Sequence, residues 1–162
     1  MGKRPKVFPN DEAFMKLALK EAKKSISRGE VPVGAVIIAD SKVLARAHNQ
    51  PCRRQDPTAH AEILALRSAA RKRQNYRLPD CVLYVTLEPC AMCLGAAVQA
   101  RIKRVVYGAA DPKAGAVESV LQFPWERLNH RPEIQGGVLE KEAREILQLF
   151  FKARRSPRAS KT

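Results

Sequence analysis

CVLYVTLEPCAMCLGAA, residues 81–97, joins a short apolar run to a proline and two cysteines three apart. The run CVLYVTL is rich in β-branched and aromatic residues and reads as a buried strand, while the segment from Pro89 onward reads as a helix. Pro89 suits the first helical position, where its missing N–H costs nothing. Side chains three apart on a helix return to nearly the same face, so Cys90 and Cys93 can point both sulfurs at one ion. The alternative is that both are small buried hydrophobes on a core helix, as most free cysteines are. A strand running directly into a helix is also the unit of an α/β sheet, whose sites lie where strands end and helices begin.

The surrounding chain repeats that alternation. Residues 11–28 place Phe14, Leu17, Ala18, Ala22 and Ile26 at helical spacing, with Gly29 as a stop. VPVGAVIIA (31–39) and KVLARAHN (42–49) flank Asp40 and Ser41 and read as a hairpin. Residues 59–72 are helical in character, with Thr58 as N-cap and Pro57 forbidding an earlier start. RVVYGAA (104–110) is a short strand ahead of the turn-rich DPKAGA, EIQGGVLE (133–140) is a last strand weakened by its paired glycines, and residues 141–154 form a final helix. The pattern predicts an α/β fold in three layers, α/β/α, with a central mixed sheet of about five strands covered by helices on both faces.

A length of 162 residues with 45% hydrophobic content fits one domain, 1–162, with residues 1–10 as an N-terminal extension and 156–162 as a basic, flexible tail. Four cysteines are too few for a disulfide scaffold here, and no secretory leader is visible, so reduced thiols and a cytoplasmic protein are expected. The apolar stretches fall short of the roughly 18 residues of a membrane span. Lys6 stands where the myristoylation pattern requires Ser or Thr. Thirty Lys and Arg against 16 Asp and Glu give a formal charge of +14 and favour a polyanionic partner. The basic residues cluster at the N-terminus, in RSAARKRQNYR (67–77) and in FKARRSPRASK (151–161). Any one cluster reads most simply as solvated surface, but three together point to nucleic acid.

DPTAHAEI (56–63) puts His60 and Glu62 in the first turn of the second helix, two residues apart. Residues so spaced point to nearly opposite sides of a helix, so they can share only a partner placed off its N-terminal end. The PCAMC helix also presents its N-terminus, and two such ends meeting at one point would favour thiolates and an anion. One His and two Cys suit Zn²⁺ and leave a fourth tetrahedral position open for water, which is the arrangement of a catalytic site. A carboxylate beside the metal, Glu62, can move the proton that a leaving group needs.

HAE and PCAMC together resemble the signature of zinc-dependent base deaminases. EVPVGAV (30–36), HN (48–49), DPTAHAEI, NYRL (75–78), YVTLEPCAMC (84–93), RVVYGA (104–109) and NHRPEI (129–134) extend the likeness through nearly the whole chain. These segments resemble the bacterial tRNA-specific adenosine deaminases, which convert wobble adenosine to inosine; cytidine deaminases share only the metal core. The resemblance implies a cytidine deaminase-like fold, one Zn²⁺ per chain on His60, Cys90 and Cys93, and Glu62 as catalytic proton shuttle. It also implies that Asn49 hydrogen-bonds a flipped base, that Asp111 meets the sugar of the target nucleotide, and that Phe150, Phe151, Arg154 and Arg155 touch the tRNA anticodon stem-loop. A homodimer with each active site near the interface is implied as well. Ala110 and Ala114 depart from the family, whose members often carry larger or hydroxyl residues there.

Three other enzyme or binding classes compete with this reading. A deaminase of a free nucleoside or of cytosine or guanine would keep the chemistry, but a small neutral substrate needs no electrostatic funnel. A non-catalytic tRNA-binding subunit with a structural zinc could dispense with Glu62. A redox CxxC protein would explain neither HAE nor the basic tail. Of the other chemistry-bearing residues, Cys81 and Tyr107 read as core. Cys52 lacks zinc-ligand spacing, and His48 and His130 read as structural or substrate-lining. Trp125 could pack or lie on the surface.

Overall fold

Five strands pair into one sheet in a computed structural model that describes residues 7–156: β1 (Gly34–Ala39), β2 (Lys42–His48), β3 (Val82–Leu87), β4 (Arg104–Ala109) and β5 (Glu133–Gln135). Their order is β2-β1-β3-β4-β5; β1 runs antiparallel to β2 and β3, while β3, β4 and β5 are parallel. Helices α1 (Asp11–Ile26) and α5 (Glu140–Arg155) cover one face. After the short α2 (Pro51–Arg54), helices α3 (Ala61–Arg73) and α4 (Ala91–Gln99) pack together on the other. The mixed α/β/α sandwich expected from the sequence is therefore present.

The core follows from the strand period. In β1, Ala35 and Ile37 join the cluster under α3 with Leu64, Leu83, Val85 and Val105, while Val36 and Ile38 join Met15, Ala18, Tyr84 and Val106 under α1. A strand buried on both faces reads as continuous apolar sequence, as GAVIIA does. Gly34 lets β1 start against α1, because a Cβ there would overlap the Ala18 carbonyl oxygen. Asp40 and Ser41 both have positive φ, 49° and 60°, the geometry that a two-residue hairpin requires.

Pairing register decides where a site can form. Gly34 pairs with His48, Ala35 with Val85, and Leu87 with Ala109. The end of β2, the end of β3 and the end of β4 thus lie side by side on one rim of the sheet, and the loops leaving them share one space. The opposite rim is closed by an ion pair: Arg104 donates to both Asp11 oxygens at 2.7 and 2.9 Å, and the Tyr84 hydroxyl donates to the same carboxylate at 2.7 Å. Asp11 is fully buried.

Three sequence expectations are corrected. Thr58 is not the N-cap of α3: Asp56 Oδ1 takes its N–H at 2.8 Å and its hydroxyl at 2.7 Å, so residues 57–60 stay non-helical and His60 becomes the N-cap. Pro89 is not the first residue of α4; Cys90 is the N-cap, with extended backbone, and the helix starts at Ala91. The last strand spans Glu133–Gln135 rather than 133–140, because Gly137 takes φ +81° and turns the chain toward α5. The parts of the N-terminal extension and of the tail at 1–6 and 157–162 lie outside the described residues.

Candidate active site

His60 and Cys90 are N-caps of facing helices, and Cys93 is the third residue of α4. The same-face argument for the cysteines therefore holds for a different reason: an N-cap side chain curls over the helix end toward the third residue. His60 Nδ1 lies 3.7 Å from Cys90 Sγ and 3.6 Å from Cys93 Sγ, and the three ligand atoms are mutually within 4.8 Å. The trio could hold a metal ion. The neighbouring Cys93 thiol, together with His60, pulls the Cys90 pKa down to about 4, while Cys90 and burial push Cys93 upward. The same Cys90 sulfur raises His60.

Glu62, only 4% exposed, lies against Cys93, and burial pushes its pKa up to about 7. A carboxyl balanced near neutrality can both take and give a proton. Asn49 follows β2 on the same rim, where its Oδ1 accepts the Ala61 N–H at 3.1 Å. This bond supplies the cap that the side chains of α3 do not, since His60 makes no capping bond of its own. It also fixes the Asn49 amide with its two Nδ2 hydrogens available for another acceptor.

Two buried carboxylates hold the loops on either side, and the sequence reading missed both. Glu30 Oε1 accepts Arg53 N–H at 2.7 Å and Oε2 accepts Cys52 N–H at 3.3 Å, capping α2. Glu88, immediately after β3, accepts from Val117, Glu118 and Ser119 N–H on Oε1 and from Asp111 N–H and the Ser119 hydroxyl on Oε2. Burial opposes the Glu88 charge, but these donors outweigh it and hold the pKa below the ordinary value. A signal existed in the sequence: each is an acid directly abutting an apolar strand, where an unsatisfied carboxylate is intolerable.

Asp111 closes its own turn by accepting from Lys113 N–H at 3.0 Å and Ala114 N–H at 3.3 Å. It lines a mostly apolar cavity of about 420 Å³ with Leu87, Lys113, Arg144, Phe151 and Arg155. Lys113 stands over the Phe151 ring at 5.3 Å, tying this loop to α5. Phe151 is 37% exposed and Arg154 and Arg155 are exposed, whereas Phe150 is 6% exposed and supports Arg154, whose guanidinium sits 5.2 Å above its ring. Cys81 is buried, with its thiol pushed up to about 11 by burial, and Cys52 is exposed and outside the His60-Cys90-Cys93 trio. Tyr107 is core, donating to Glu118 at 3.0 Å; His130 bonds the Ile102 carbonyl at 2.7 Å; Trp125 packs on Phe123 at 4.7 Å. Among the described residues no helix is long and apolar enough to cross a membrane.

The family profile described as MafB19-like deaminase matches residues 9–155. The chain is 48% identical to the tRNA-specific adenosine deaminase of Haemophilus influenzae over 90% of its own length and 85% of that protein. It is 46% identical to the tRNA-specific adenosine deaminase of Bacillus subtilis over 88% and 89% of the two chains. A solved structure from work on A-to-I editing by tRNA A34 deaminases at the wobble position of transfer RNA superposes with a TM-score of 0.80 at 49% identity, covering 83% of this chain and 99% of that one.

Proposed function

The chain belongs to the family of tRNA-specific adenosine deaminases, and on that premise we propose that it is a single-domain, cytoplasmic hydrolase, 1–162, that converts wobble adenosine of a tRNA anticodon to inosine. The observation that carries the reading is a buried carboxyl, Glu62, set against a His-Cys-Cys trio of metal-ligating geometry. The trio fits zinc: bonds of about 2.0–2.1 Å to nitrogen and 2.3 Å to sulfur at a tetrahedral angle place N and S roughly 3.6 Å apart. The observed 3.6 and 3.7 Å agree. When bound, zinc supplies Lewis acidity, lowering the pKa of water to about 7.

Glu62 takes one proton from the attacking water and delivers it to the exocyclic nitrogen, so that the amino group leaves C6 as ammonia, the hydroxyl takes its place, and tautomerisation gives the inosine lactam. Asn49 offers its two Nδ2 hydrogens to the ring nitrogens of the flipped adenine. Asp111 meets the ribose of that nucleotide. Phe151, Arg154 and Arg155 hold the anticodon loop, whose unpaired bases lower the cost of extrusion, with Phe150 bracing them from below. The exposed face of α4, which includes Met92 beside the trio, supports a homodimer interface near the site.

The test is incubation of the purified protein with an unmodified anticodon stem-loop carrying A or C at the wobble position, as RNA and as DNA, with inosine read by sequencing. Inosine only from the adenosine RNA is expected. Faster turnover of C, or of free guanine, would refute the assignment. Glu62→Gln should keep metal and RNA affinity and lose about 10² to 10⁴ in rate.

A further inference from the structure

The geometry points to Glu88 as a positioning residue that sets Asp111 for the substrate; this rests on the proposed role of Asp111 at the target nucleotide. Glu88 is buried, two residues ahead of Cys90, and its carboxylate is surrounded by the 111–119 loop. Oε1 gathers three consecutive N–H groups, from Val117 at 3.1 Å, Glu118 at 2.9 Å and Ser119 at 3.1 Å. Oε2 takes the Asp111 N–H at 2.9 Å together with the Ser119 hydroxyl. One rigid side chain on the β3–α4 junction thereby pins both ends of the loop, and the same junction carries the metal-ligating cysteines. Gly115, midway along the loop, packs on the carboxyl so closely that a Cβ would overlap it. Within the loop, Lys113, Ala114 and Gly115 N–H turn back onto Asp111, and Ala116 N–H goes to the Pro89 carbonyl. Glu88 is the side chain that ties Asp111 itself to the β3–α4 junction, and so sets where Asp111 stands relative to the His-Cys-Cys trio.

Glu88→Gln is a selective probe. Its Oε1 keeps an acceptor facing the N–H groups of 117–119, weakened by loss of the charge, and the Ser119 oxygen can accept from the new amide. Of the backbone donors, only the Asp111 N–H then faces a donor instead of an acceptor, so Asp111 is the residue released most.

kcat and KM would be measured on the RNA stem-loop for wild type, Glu88→Gln, Asp111→Ala and the double variant. Metal content and amide hydrogen exchange over 111–119 would be followed in parallel. Glu88→Gln should lower kcat/KM about 10- to 100-fold, mainly through KM, with metal content unchanged and faster exchange at 111–114. In the Asp111→Ala background it should cost less than about twofold more, since coupled residues are non-additive. Gly115→Ala, whose Cβ would overlap both oxygens of the same carboxyl, should likewise lower kcat/KM through KM with metal retained, its faster exchange extending over 111–119, even if Glu88→Gln folds poorly. A full-sized Glu88→Gln effect in the Asp111→Ala background, or metal lost along with activity, would overturn the inference. So would an impaired Asp111→Ala beside an unimpaired Glu88→Gln. If Asp111→Ala turned over RNA like wild type, the substrate role of Asp111 would fail, and this inference with it.

Discussion

Replacing Asn49 by Ala and by Asp separates its two jobs. The Oδ1 atom accepts the N–H of Ala61, which is fully buried, at 3.1 Å. Ala at position 49 leaves that N–H without its acceptor, a loss of about 1–3 kcal/mol. A domain of this size loses about 2–4 °C of unfolding midpoint per kcal/mol, so Asn49→Ala should melt roughly 2–12 °C below wild type. Asn49→Asp keeps an acceptor and adds a negative charge at a helix N-terminus, which is favourable by about 0.3–1 kcal/mol, so its midpoint should lie at or up to about 4 °C above wild type. Both substitutions remove the amide donors proposed to meet adenine, and both should lower kcat/KM on the RNA stem-loop roughly tenfold to a hundredfold. Calorimetry and single-turnover deamination on the same preparations give the two readouts. Wild-type turnover by Asn49→Asp would refute the base contact, and a wild-type midpoint for Asn49→Ala would refute the cap.

Metal analysis should find one zinc per chain, lost in Cys90→Ala and His60→Ala and retained in Cys52→Ser, since Cys52 lies outside the ligating trio; retention by Cys90→Ala would sink the ligand set. Asp11→Asn removes the carboxylate that Arg104 and Tyr84 share and should destabilise the fold by about 3–5 kcal/mol. Burial alone would raise the Asp11 pKa, but the Arg104 bond and the other donors hold it below 3.8. Its contribution is thus fully present above about pH 4 and fades as pH falls through the depressed value, so the gap between wild-type and Asp11→Asn melting midpoints should be constant from pH 5 to 7 and shrink toward pH 2; a gap that widens on acidification would contradict it. Arg154→Ala with Arg155→Ala should flatten the dependence of RNA affinity on salt, by roughly 0.7 in log–log slope for each phosphate no longer neutralised; an unchanged slope would remove this end of α5 from the RNA surface.

The His-Cys-Cys trio was legible because its chemistry is local: two cysteines three apart and a histidine at a loop-to-helix junction stand out whatever the remaining packing does, and the fold brings the three together with geometry that could hold an ion. The strands were legible for a similar reason, since VIIA and VLYVTL admit few other readings. Helix starts were harder. Whether Thr58 or His60 opens α3 depends on Asp56 claiming Thr58 and on Asn49 reaching Ala61, the second a contact across 12 residues that no window of sequence contains. Glu88 escaped notice because its partners stand 23 to 31 positions away and are mostly backbone N–H groups, which leave no trace in side-chain identity.

The ion pair of Asp11 with Arg104 lies at the rim of the sheet where β3 and β4 begin, and the His60-Cys90-Cys93 trio at the rim where they end. Six residues of strand, roughly 20 Å, separate them. Substitutions that far apart with no shared partner usually add. Thermal tolerance can therefore be adjusted at one rim while substrate preference is altered at the other, and a variant library could treat the two ends as independent variables.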